Sequence, residues 1–191
     1  MMAQKKQVII LTDGDQTAYQ ALSEACDELS CHPLRASEGN PTPLTGEELV
    51  KEILRAPAEP VVVMVDDRGD AGTGRGERAL DVLLDSSELE VLGVVAVAAN
   101  THPVHGVAVD VSVDQDGNVV HQAVDKDGHP VSGSTLKGDT VDVLKAYSGP
   151  VVGLGDPGKM EGHDSVHHGV PATRRAIEEI LKKGANPDGR G

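Results

Sequence analysis

Four short aliphatic runs constrain this chain most: QVIILT (Gln7 to Thr12), PVVVMV (Pro60 to Val65), VLGVVAVA (Val91 to Ala98) and GPVVGLGD (Gly149 to Asp156). Each is too short for a buried helix, rich in β-branched residues, and closed by a turn of Asp, Asn or Gly. Amphipathic segments lie between them. From Gln16 to Ser30, apolar Ala18, Leu22, Ala25, Cys26 and Leu29 recur at helical spacing. In TGEELVKEILRA, Thr45 with Glu48 three residues on spells a capping box. Further helices are expected over about Glu77 to Leu84 and Pro171 to Lys183. Apolar strands alternating with helices indicate parallel βαβ units, with helices on both faces of the sheet.

The rhythm breaks after Asn100. VAVDVSVDQDGNVVHQAV alternates around Asp116-Gly117, which predicts a β-hairpin, and KDGHPVSGSTLKGD continues as loop. The expectation is one domain over residues 1–184, a Rossmann/flavodoxin-like three-layer α/β fold with a mostly parallel sheet. A β-hairpin flap is inserted at about 106–138, and residues 185–191 form a disordered tail. CHPLRAS supplies a short second strand, and the order 2-1-3-4-5 would make strands one, three and four neighbours.

The core has to be aliphatic, because the chain has no Phe, no Trp and two Tyr. Asp and Glu outnumber Lys and Arg by 31 to 17, a formal charge of −14. That balance argues against a nucleic-acid surface and against attraction to anionic headgroups, and leaves cations or cationic protein surfaces as partners. Cys26 and Cys31 form one C-x4-C pair with no second pair, so free thiols are expected rather than a zinc site. The longest apolar run, Val91 to Ala99, is far short of a bilayer span, so no direct membrane span is expected.

Ligands of open parallel sheets bind at the carboxyl ends of the strands. The residues expected there are Asp13, Gly14, Asp15, Asp66, Asp67, Asn100, Asp156 and Lys159. Asp13, Asp15, Asp66 and Asp67 are hard oxygen donors of the kind that takes Mg²⁺ or Ca²⁺. Helix caps and turns, however, use Asp at the same positions. RGDAGTGRGE is a glycine-rich loop before a helix, yet it lacks the last glycine of G-x-G-x-x-G. GLGDPGKM (Gly153 to Met160) matches G-x-x-x-x-G-K-[ST] until Met160 takes the place of the hydroxyl. It follows the last strand rather than an early one, and reads as a strand-end turn with Lys159 beside the acids. In HDSVHH, His163 and His167 would share a face only on a regular helix, which the flanking glycines oppose, so a solvated loop is expected.

LTDGD, GNPTPLTGEELV, VVVMVDDRGDAGTGRGERAL, LGVVAVAANTH, VDKDGHP, LKGDTVDVL and GLGDPGKMEGHDSVHHGVPATRRAIEEIL together resemble the stage V sporulation protein AE family in its soluble form. The resemblance runs from about Gln7 to Lys183. It implies a protein of endospore-forming bacteria, made in the forespore. It further implies association with the spore inner membrane through channel proteins of the same operon, which move dipicolinic acid as its calcium chelate. The resemblance carries over no catalytic residues. Three readings stay open: a non-enzymatic accessory of the channel acting in sporulation and germination, a metal-dependent hydrolase or phosphotransferase using the strand-end carboxylates, and a small-ligand or calcium-dipicolinate sensor. Self-association into a homo-oligomer is also open.

Overall fold

The computed structural model describes residues 3–67, 74–99, 105–138 and 140–185. Its strands are β1 (Lys6–Leu11), β2 (His32–Pro33), β3 (Val61–Met64), β4 (Leu89–Val97), β5 (His105–Ala108), β6 (Val111–Val113), β7 (Val119–Val120), β8 (Thr135–Gly138) and β9 (Val151–Leu154). The α-helices are α1 (Gln16–Leu29), α2 (Gly46–Arg55), α3 (Arg75–Asp85) and α4 (Pro171–Ala185).

Seven strands form one sheet in the order β2-β3-β1-β4-β9-β6-β7, and β5 with β8 forms a separate antiparallel pair. All pairings of the large sheet are parallel except β6 with β7. Alternate residues of each strand serve opposite faces. Val8 and Ile10 pack with Leu49, Ile53, Leu80 and Leu83 of α2 and α3. Ile9 and Leu11 pack with Leu22, Ala25, Ala176 and Ile180 of α1 and α4. The result is the mostly parallel three-layer α/β arrangement that the sequence predicts.

The strand order differs in one respect from 2-1-3-4-5. β1 lies between β3 and β4, while β2 lies outside β3 at the sheet edge. β2 is an edge strand in both orders, as Pro33 with its missing N–H requires, and only its neighbour differs, β3 in place of β1. β1 is fully apolar over Val8 to Leu11 and buried on both faces, which suits the centre. Strands one, three and four are therefore neighbours, with β1 in the middle.

The insertion is more than a flap. β6 pairs in parallel with β9, Val111 opposite Val152, so the hairpin extends the main sheet by two strands. The helix caps follow the sequence. Asp15 Oδ1 accepts from Ala18 N at 2.7 Å at the start of α1. Thr45 and Glu48 exchange the two bonds of a capping box at α2. The last helix runs to Ala185, beyond the expected end at Lys183, and the remainder of the expected tail, 186–191, lies outside the described residues.

Candidate functional site

The carboxyl ends of β1, β3 and β9 meet at one edge, and their turns are fastened to each other. Gly14 N–H points at two carboxylates, Asp13 Oδ1 at 2.8 Å and Asp66 Oδ2 at 3.0 Å. No side chain fits at Gly14, since a Cβ there would run into the Gly39 carbonyl and the Asp66 Cβ. Asp66 is fixed from behind by Thr42. Thr42 N and Oγ1 both donate to Asp66 O, at 2.9 and 3.1 Å, and Asp66 N donates to Thr42 Oγ1 at 2.8 Å.

Asp15 and Asp156 complete the acidic edge. Burial drives Asp13 from the ordinary carboxylate value of 3.8 up to about 8, and the charges of Asp15, Asp66 and Asp156 add to the rise. The Asp15 amide, which donates to Asp13 Oδ1, opposes it. Asp156 is also raised, first by burial, against the pull of Lys159. Lys159 Nζ bonds Asp15 Oδ2 at 3.1 Å. Burial favours its neutral form, but the bond to Asp15 and the charges of Asp15, Asp156 and Asp13 outweigh that and hold the ammonium above its usual value. Asp13 thus gives up its proton far less readily than an ordinary carboxyl, because burial and the neighbouring carboxylates oppose its charge.

Lys159 is held in place by an unusual turn. Met160, Glu161 and Gly162 follow it with φ of 53, 59 and 87°, three left-handed residues in succession. For a residue with a Cβ this conformation costs about 1–2 kcal/mol. Two anchors hold it. Met160 is buried against the sheet, and Asp164, fully buried, accepts from Gly158 N, Ala172 N, Thr173 N and Thr173 Oγ1. One carboxylate therefore ties the Lys159 turn to the first turn of α4.

The remaining expected site residues separate. Asp67 turns away from the other acids: its Oδ1 accepts from Gly76 N at 2.7 Å and Glu77 N at 3.1 Å, in the first turn of α3. Asn100 lies outside the described residues, as do Gly69 and Gly72 of the glycine-rich loop. Gly74 precedes α3 as its N-cap. GLGDPGKM is a strand-end turn, with its lysine on Asp15 and the next α-helix starting at Pro171. In HDSVHH only Val166–His168 forms a short 3-10 turn, His163 bonds Asp116, and His168 bonds Ser165.

Asp13, Asp15, Asp66 and Asp67 have the chemistry for Mg²⁺ or Ca²⁺, and in this structure their oxygens serve the main chain. Each directs an oxygen at main-chain amides, and among the described residues no three His, Cys, Asp or Glu side chains are placed to hold a metal ion.

Three residues that build this edge escape a reading of motifs: Thr42, Asp164 and Thr12, whose Oγ1 accepts from Val97 N at 2.9 Å. Their partners are remote in sequence, except that Asp164 stands eight residues before the α4 amide it caps.

Fold and edge define a three-layer α/β protein with a cluster of carboxylates at its strand ends. The chain belongs to the stage V sporulation protein AE family: the SpoVAE model, described as Stage V sporulation protein AE1, matches residues 7–184. No curated protein and no solved structure matches it. Membership gives the chain a sporulation-related role. Among the described residues no helix is long and apolar enough to cross a membrane.

Proposed function

We propose that this protein is a soluble, non-enzymatic accessory of the spore inner-membrane channel apparatus, encoded with it and acting in sporulation and germination through the movement of dipicolinic acid. The observation that carries this reading is the family match across the whole folded unit. The use of polar groups at the strand-end edge supports it. Asp13, Asp15 and Asp66 are engaged by main-chain amides and Asp15 by Lys159, which makes a fixed charged face suited to binding. The protein reaches the inner membrane by docking on channel subunits. Affinity capture from spore membrane extracts should recover channel proteins of the same operon; a capture that brings down none of them would sink this reading.

One observation favours a second reading, a ligand sensor at the same edge. Asp13 is a carboxyl whose charge is opposed by burial and by Asp15, Asp66 and Asp156, and a cationic ligand would favour the charged form. In a calcium chelate of dipicolinate the chelator leaves several Ca²⁺ positions open, which carboxylates at this edge can fill. A thermal shift with Ca²⁺ plus dipicolinate, and with neither alone, would support it. No shift with the mixture would remove it. Nothing observed at the edge favours a hydrolase or phosphotransferase.

A further inference from the structure

We propose that a second copy of this chain docks antiparallel in the open groove between α2 and α3, so that the basic end of each groove faces the acidic end of the other. This surface is remote from the strand-end edge and independent of the channel reading.

The groove follows from the fold. α2 leads into β3 and α3 into β4, and these strands are parallel to β1 between them, so the two helices run side by side in the same direction. Gly46 lets them approach, since a Cβ there would strike Val82. Two hollows of about 310 and 490 Å³ lie along the seam and share Glu47 and Val82, which makes them one continuous depression. Its floor is apolar. Val50 and Val82 are half-buried, and Leu54 is 43% exposed, one of three large apolar side chains so exposed among the described residues.

The charges are sorted along it. Glu47 lies where the two hollows meet; beyond it one hollow carries Arg75 and Arg78, and the other carries Asp81, Asp85 and Glu88 against a single Lys51. From Arg75 to Asp85 the helix rises ~15 Å, at 1.5 Å per residue. Arg78, Asp81, Asp85 and Glu88 are exposed and make no ion pair with another described residue. Arg75 donates to the Pro43 carbonyl, which leaves the rest of its guanidinium outward.

A groove with a basic end, an acidic end and an apolar middle is complementary to its own image. A two-fold axis across it pairs each end with the opposite end of the other copy, and the apolar middles with each other. A uniformly basic partner would meet Arg75 and Arg78, and a uniformly acidic one would meet three carboxylates. The second copy satisfies both ends at once. This matters in a chain of charge −14, where association needs local cation-to-anion contacts to offset the general repulsion.

The test is the mass in solution of the full chain over a concentration series, by sedimentation velocity or light scattering. Wild type should pass from one chain to two. Leu54→Glu should remain a single chain. Arg78→Asp and Asp85→Arg should each raise the dimer dissociation constant about tenfold or more, and the double variant in one chain should recover it. Circular dichroism on each variant checks folding. Amide exchange on wild type needs no variant, and should show α2 and α3 growing more protected as concentration rises. A chain that stays single at every concentration overturns the proposal, as does a dimer protected elsewhere or indifferent to these substitutions. In those cases the groove belongs to a different protein or to none.

Discussion

Lys159 Nζ lies 3.1 Å from Asp15 Oδ2, which joins the turn after the last strand to the cap of the first helix across 144 residues. The two side chains have different duties. Asp15 also caps α1 through Ala18 N, whereas Lys159 answers the charge of the edge. Asp15→Ala should cost about 1 kcal/mol, the usual loss of an N-cap. Lys159→Ala should cost less than about 1 kcal/mol, because the pair is partly exposed, at 49% and 34%. Urea denaturation of both single variants and the double variant separates the cap from the pair. A Lys159→Ala loss larger than that of Asp15→Ala would contradict the division.

Asp13 should make stability depend on pH. Its folded value, about 8, lies above the ordinary 3.8, so the folded state holds a proton that the unfolded chain releases between these limits. The contribution is full below pH 3.8 and is lost as pH rises through about 8. Asp13→Asn removes the titration. Its stability relative to wild type should therefore rise with pH across that window, by at most about 1.4 kcal/mol per pH unit. Denaturation midpoints at a series of pH values measure this, and two parallel curves would refute it.

Asp164 should be the most sensitive acid in the chain. It is fully buried, and four donors converge on it from the Lys159 turn and from α4. Burial raises its pKa, and the bonds from Gly158, Thr173 and Ala172 oppose that rise. Asp164→Ala leaves those donors unsatisfied and should destabilise the protein by about 3 kcal/mol. Asp164→Asn should lose less. The same variant should free the left-handed turn and raise amide exchange at Met160 to Gly162, a local readout that distinguishes it from a general loss of packing.

Cys26 and Cys31 should react at different rates. Their thiols interact, which draws Cys31 downward against the effect of its burial and pushes Cys26 upward, with burial adding to the push. Cys31 is half-buried and Cys26 is closed off in the core. Iodoacetamide should modify Cys31 first on the folded protein, and Cys31→Ser should abolish the fast phase. Equal rates at both thiols would contradict the pairing.

Most of the fold is legible in the chain because its strands and helices are set by local pattern. QVIILT is too apolar for anything but a central strand, and Thr45 with Glu48 starts α2 where the capping box says. The meeting of Asp13, Asp15, Asp66 and Asp156 follows from placing each after a parallel strand. Asp67 is different. In sequence it is equivalent to Asp66, and only the direction in which the next helix starts decides that it caps α3. Pro33 keeps β2 at an edge in either strand order, and no local pattern records that its neighbour is β3 rather than β1. Thr12 and Thr42 work through bonds spanning 85 and 24 residues, which no local pattern records.

If this protein assists the passage of dipicolinic acid, its loss should show in the timing of dipicolinic acid release from germinating spores. Spores lacking the protein should release it more slowly while the channel subunits remain present in the membrane, and restoring the wild-type chain should restore the rate. Release at an unchanged rate in its absence would show that dipicolinic acid moves without its help.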